Sequence, residues 1–159
     1  MSKVHVITVS DRASAGKMAD ESGPALVRIL ERDRFEVLGP EVVPDNQDRI
    51  AEAIVAAAAN GADVVVTTGG TGLGPRDVTP QATSSVIDFE VPGVGEAMRR
   101  AGAGSTPMAA LSRGMAGVRG HTLVINVPGS IKGATESLEA VMPVLEHAIR
   151  LLHGDTHHA

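Results

Sequence analysis

Residues 62–68, ADVVVTT, place three valines in a row with no polar residue between them. A strand with one wet face alternates apolar and polar side chains, so an unbroken β-branched run asks for apolar cover on both faces, the habit of parallel sheets. That run therefore calls for helices above and below a sheet. VHVITV (4–9) and HTLVINV (121–127) read as further strands, and FEVLGPEVV (35–43) as one that Gly39-Pro40 confines to an edge or a bulge. Helical spacing fills the intervals. Leu26, Ile29 and Leu30 follow the entry signal Ser22-Gly23-Pro24, and Ile50, Ala53, Ile54, Ala57 and Ala58 run from Asp48 to a stop at Asn60-Gly61. Thr79-Pro80 reads as N-cap and first turn of a helix to about Ile87, and a short helix follows over 92–102. Ala134, Leu138, Val141, Met142, Leu145, Ile149 and Leu152 mark a long last helix that Pro143 should kink. The alternation predicts a three-layer αβα sandwich with a mostly parallel central sheet. At 159 residues this is one domain, residues 1–152, with HGDTHHA (153–159) as a flexible tail.

Composition removes several classes of function. A net charge of −5, no Trp or Tyr and only two Phe leave neither the basic face nor the stacking rings of a nucleic-acid binder. No apolar run reaches the ~20 residues needed to cross a bilayer. Residues 1–9 lack a secretory pattern and there is no cysteine, so a soluble, cytoplasmic protein without disulfides or thiolate metal sites is expected. The histidines form no H-E-x-x-H, and His153 with His157 or His158 falls in the tail. Arg99 and Arg100 read as a solvated helix face.

Three polar or Gly-rich segments leave the carboxyl ends of strands, where an open α/β sheet binds its ligands: SDR (10–12), GGTGLGPRD (69–77) and PGSIKG (128–133). Four glycines within 69–74 let main-chain N–H groups approach an anion, which an acidic protein must hold by such a local device. The same run could be a tight structural turn. It is not a P-loop, because no Gly-Lys-Ser/Thr follows, and not a dinucleotide fingerprint, because the glycines are spaced G-x-G-x-G and Pro75 blocks the helix. Asp77 beside a phosphate cradle suggests an intervening Mg²⁺, with Asp45 of VVPDNQ as a second ligand. Phosphoryl or nucleotidyl transfer follows, with Arg76 or Lys132 offsetting developing charge. Asp45, Asp11 and Asp20 could equally cap turns, and Ser130 could bind phosphate or cap a helix.

SDRASAG (10–16), D-x-S-G-P (20–24), PD (44–45), TTGGTGLGPRDVTPQAT (67–83), PGVGEAMR (92–99), LSRG (111–114) and NVPGSIKG (126–133) occur in one order along nearly the whole chain. In this the chain resembles the Mog-type molybdopterin adenylyltransferases of molybdenum cofactor biosynthesis. The resemblance implies a molybdopterin-binding domain that forms homotrimers and uses ATP and Mg²⁺ to adenylylate the terminal phosphate of molybdopterin, releasing pyrophosphate. It also implies hand-over of the product to a molybdate-insertion enzyme. Carried over residue by residue, it makes Asp45 and Asp77 the catalytic and Mg²⁺-positioning carboxylates and Gly69, Gly70, Thr71 and Gly72 the nucleotide loop. Ser10, Asp11, Arg12, Asp20, Arg76, Ser112, Pro128, Gly129 and Ser130 become further substrate- or nucleotide-binding positions. The alternative is a sister subgroup of small proteins that bind or carry molybdopterin without catalysing transfer.

Overall fold

The structure is a computed structural model that describes residues 1–156. A six-stranded sheet runs in the order β2-β1-β3-β6-β5-β4, formed by β1 (Lys3–Val9), β2 (Glu36–Val43), β3 (Val64–Thr68), β4 (Phe89–Glu90), β5 (Ala116–Arg119) and β6 (Thr122–Val127). β2, β1, β3 and β6 are parallel, whereas β5 runs antiparallel to β6 and β4 antiparallel to β5. The expected parallel core is there, and an antiparallel pair extends it. All five residues of β3 are buried between β1 and β6. Burying each valine of the run contributes on the order of 2 kcal/mol.

Helices cover both faces. α2 (Ser22–Arg32), α5 (Pro92–Ala103) and α6 (Ile131–Leu152) send Leu26, Leu30, Met98, Leu138 and Leu145 against Val4, Val6, Val64, Val66, Leu123 and Ile125. On the other face α3 (Gln47–Ala59) and α4 (Thr79–Ser84) pack Ile50, Ile54, Ala57 and Ala82 on Ile7, Val9, Val65 and Val124. Alternate residues of one strand thus enter two cores, which is what a valine run without polar interruption requires.

Gly39 and Pro40 do lie on the edge strand β2, where the register with β1 shifts between His5 and Ile7. The segment after β1 begins with a one-turn helix, α1 (Asp11–Ser14), because the Ser10 hydroxyl accepts from the Ala13 amide at 3.1 Å. Thr79 is the first residue of α4 and not its cap; its hydroxyl instead donates to the Gly69 carbonyl at 2.9 Å. α4 ends at Ser84, short of Ile87. α6 continues through Pro143, which lies on its exposed side, as does Glu139, whose carbonyl loses the i+4 donor. Water can serve that carbonyl. His153, just past α6, bonds through Nε2 to Asp63 Oδ1 at 2.7 Å and packs edge-on against His121, so the final helix is fastened at its end. His157 and His158 lie outside the described residues. Among those residues no helix is long and apolar enough to cross a membrane.

Candidate active site

Because β2 and β3 lie on opposite sides of β1, the chain diverges at the carboxyl ends of β1 and β3, the point at which open α/β sheets form a crevice. Ser10 and Asp11 leave β1 there, Asp45 follows β2, and the Gly-rich segment follows β3. Gly69 donates its amide to the Val127 carbonyl at 3.0 Å and holds φ at 108°, with Gly70 at 69°. A Cβ on Gly69 would strike the Val9 carbonyl oxygen, and one on Gly70 would meet Thr79 Oγ1 and come within 3.2 Å of Asp45 Oδ1. Side chains are excluded where the loop crosses β1 and Asp45.

The carboxylates are placed by main-chain donors. The Asp11 amide donates to Asp45 Oδ2 at 2.9 Å, and the Asp45 amide returns a bond to Asp11 Oδ1 at 3.0 Å. Arg76 grips Asp11 with both Nε (3.0 Å) and Nη2 (3.1 Å). This guanidinium holds the Asp11 carboxyl below its ordinary value. Asp45 is pushed the other way: burial comes first, and the charges of Asp11 and Asp77 add to it against the Asp11 amide. Asp77 folds back on its own loop, with Oδ2 accepting from the Gly74 amide at 2.9 Å; a Cβ on Gly72 or on Gly74 would lie 2.9 Å from that oxygen. The loop from Gly70 to Gly74 therefore touches Asp45 at one end and Asp77 at the other.

A cavity of 670 Å³ opens beside the loop, lined by Gly70, Thr71, Gly72, Asp77, Ser112, Pro128, Gly129 and Ser130 among others. The sequence-derived site thus converges for these eight. Gly69, Asp45, Asp11, Ser10 and Arg76 stand behind or beside the loop and do not line the cavity, and neither do Arg12 and Asp20. Arg12 is exposed on α1. Asp20 accepts from the Thr8 hydroxyl (2.8 Å) and the Gly23 amide (3.1 Å), the position of a turn cap at the start of α2. Ser130 caps α6, its hydroxyl accepting from the Gly133 amide at 3.1 Å, and the amino end of this 22-residue helix faces the cavity with Lys132. That end attracts anions. Arg76 is committed to Asp11, so the cavity's cations are Lys132 and Arg99. Arg99 is not the solvated surface residue read from the sequence: it is half-buried and donates to the Gly114 carbonyl at 2.7 Å.

Arg113 is the residue the sequence reading missed. Nε donates to the Gly72 carbonyl (2.8 Å), Nη2 to the Asp77 carbonyl (2.7 Å) and Nη1 to Gln81 Oε1 (3.2 Å). Its only signal was membership of LSRG. Among the described residues no three His, Cys, Asp or Glu side chains are grouped to hold a metal by themselves. A divalent ion at Asp45 and Asp77 would complete its shell with phosphate and water, the usual state of Mg²⁺. Burial comes first in pushing Asp45 upward, and the neighbouring charges of Asp11 and Asp77 that add to it are what such an ion would offset.

Residues 5–147 match the family described as "Probable molybdopterin binding domain". The chain belongs to this family. It is 40% identical over 163 residues to the molybdopterin adenylyltransferase of Helicobacter pylori, strain J99, covering 98% of this chain and 91% of that protein. The crystal structure of the molybdopterin biosynthesis enzyme MoaB from Thermus thermophilus superposes with a TM-score of 0.90 at 51% identity, covering 97% and 98% of the two chains. The Mog protein of Mycobacterium ulcerans gives 0.91 at 39% identity, covering 96% and 99%. Other relatives are considerably longer than this chain. The chain spans only 22% of gephyrin from Dictyostelium discoideum and 48% of a molybdenum cofactor biosynthesis bifunctional protein from Synechococcus elongatus.

Proposed function

We propose that the protein is a molybdopterin adenylyltransferase that moves AMP from ATP to the terminal phosphate of molybdopterin and releases pyrophosphate. One observation carries the reading: a short glycine backbone reaches from Asp45 to Asp77 at the edge of a 670 Å³ cavity that also receives the amino end of α6. The relatives named molybdopterin adenylyltransferase, at 40% and 42% identity, support the same chemistry.

An oxygen of the pterin phosphate attacks the α-phosphorus of ATP. A new P–O–P bond forms, the bond to the β-phosphate oxygen breaks, and pyrophosphate departs with the electron pair. Gly70, Thr71 and Gly72 present main chain to the phosphates without an obstructing Cβ, and Lys132 with the α6 terminus attracts the anions. Asp45 and Asp77 would hold Mg²⁺, which when bound neutralises charge on the polyphosphate. Fixing both phosphates on one rigid cradle supplies the orientation that in-line displacement needs. A homotrimer is part of the proposal, supported by exposed apolar side chains such as Leu38 and Phe89, as is delivery of the product to a molybdate-insertion enzyme.

The test is incubation with α-labelled ATP, Mg²⁺ and molybdopterin. Label should move to the pterin, stop with a chelator and resume when Mg²⁺ is restored. Tight pterin binding without label transfer would instead identify a carrier.

A further inference from the structure

We propose that Arg113 is the positioning residue that aims the Asp77 carboxylate, by holding the Gly-rich loop from behind. The kinetic part of this proposal rests on the adenylyl-transfer reading; the structural part does not. Arg113 does not line the cavity that contains Asp77, but borders a second, more open depression of 800 Å³ with Pro80, Gln81 and Met115. From there it takes hold of the loop at three carbonyls: its amide donates to Thr71 at 2.8 Å, and its guanidinium to Gly72 at 2.8 Å and Asp77 at 2.7 Å.

Residues 73–76 between those points are exposed. Internally the turn is closed by the Asp77 amide on the Gly74 carbonyl (3.0 Å) and the Gly74 amide on Asp77 Oδ2 (2.9 Å). Those two bonds fix the carboxylate relative to Gly74, but not relative to the rest of the molecule. The Arg113 guanidinium supplies a second reference, beside the Arg76–Asp11 fork, by bridging both ends of the turn, Gly72 and Asp77, while Nη1 reaches Gln81 on α4. A planar fork with donors in fixed directions can bridge two carbonyls and an amide oxygen at once; an ammonium is a single point charge on a flexible stem. Displacing a reacting group by about 1 Å costs on the order of 100-fold in rate. Ser112, Ser130 and the α6 terminus are untouched by the change, so molybdopterin binding should be largely preserved.

The experiment compares wild type, Arg113→Ala and Arg113→Lys by hydrogen exchange of the free protein and by steady-state kinetics with ATP and molybdopterin. Both variants should exchange faster over 70–79 with the sheet still protected, and kcat should fall about 100-fold while the KM for molybdopterin stays within about threefold. Lysine should fail to restore either property. Unchanged exchange in the loop, an unchanged kcat, recovery by lysine, or a loss of protection spread over the whole sheet would each overturn the proposal. If wild type transfers no AMP, it is the adenylyl-transfer reading that fails, and the exchange comparison alone decides whether Arg113 holds the loop.

Discussion

Asp45 sits where burial and two neighbouring carboxylates oppose its ionisation. Its folded value lies above its unfolded one, so the folded state binds the extra proton and stability falls as pH rises through the interval between the two. Asp45→Asn removes that penalty while keeping an oxygen for the Asp11 amide. The variant should melt at a higher temperature than wild type at pH 7, a gain that fades as the pH is lowered toward about 4, and it should lose transfer activity. Thermal melts across that range check the sign. Asp77→Asn should lower kcat by at least about 100-fold with the fold and most pterin binding intact, because it removes charge at the reacting phosphates and little packing. RDVTP and VVPD mark these two aspartates in the sequence by bringing a carboxylate to glycine-rich or strand-ending segments, and both lie against the glycine loop. Arg113 and Arg99 were not legible there: apart from Gln81, their partners are main-chain carbonyls on other segments, which leave no mark on side-chain pattern. Asp20 read as a candidate for the same reason in reverse, since a carboxylate that caps a turn looks in sequence like one that binds a ligand.

Among the elements, the glycine loop makes the sharpest demand. Gly69→Ala would place its Cβ on the Val9 carbonyl, an atom locked in β1, at a φ that L residues avoid. A loss of about 2 kcal/mol is expected, lowering Tm by roughly 4–8 °C in a scanning melt. Pro143 offers the opposite case. Pro143→Ala restores a donor for the Glu139 carbonyl on an exposed helix face and should stabilise by about 1–2 kcal/mol, less than the helix-interior penalty because proline also restricts the unfolded chain. The strongly patterned elements, β1, β3, β6, α2, α3 and α6, were all legible from apolar spacing. β4 and β5 were not. β4 is two residues long, with Phe89 exposed, and β5 carries Gly117, so neither shows a recognisable period. The 3₁₀ turn Pro107–Leu111 buries none of its residues and left no apolar stripe to detect. The Thr79 hydroxyl was diverted from capping by the carbonyl of Gly69, a contact ten residues away that local rules do not foresee.

At the scale of the whole molecule, sheet order explains why residues far apart in sequence act together. The β2-β1-β3-β6 arrangement sets the segments after β1, β2, β3 and β6 along one edge, and each brings something different: Asp11, Asp45, the glycine cradle with Asp77, and the α6 terminus. On the proposed function, an acidic chain would thereby hold polyphosphate by a local device without a basic surface. The most direct measurement is anomalous diffraction from crystals grown with Mn²⁺ and a non-hydrolysable ATP analogue. A manganese peak is expected between Asp45 and Asp77, with the triphosphate lying over residues 69–74. A metal peak remote from both carboxylates, or a nucleotide bound away from the loop, would contradict this.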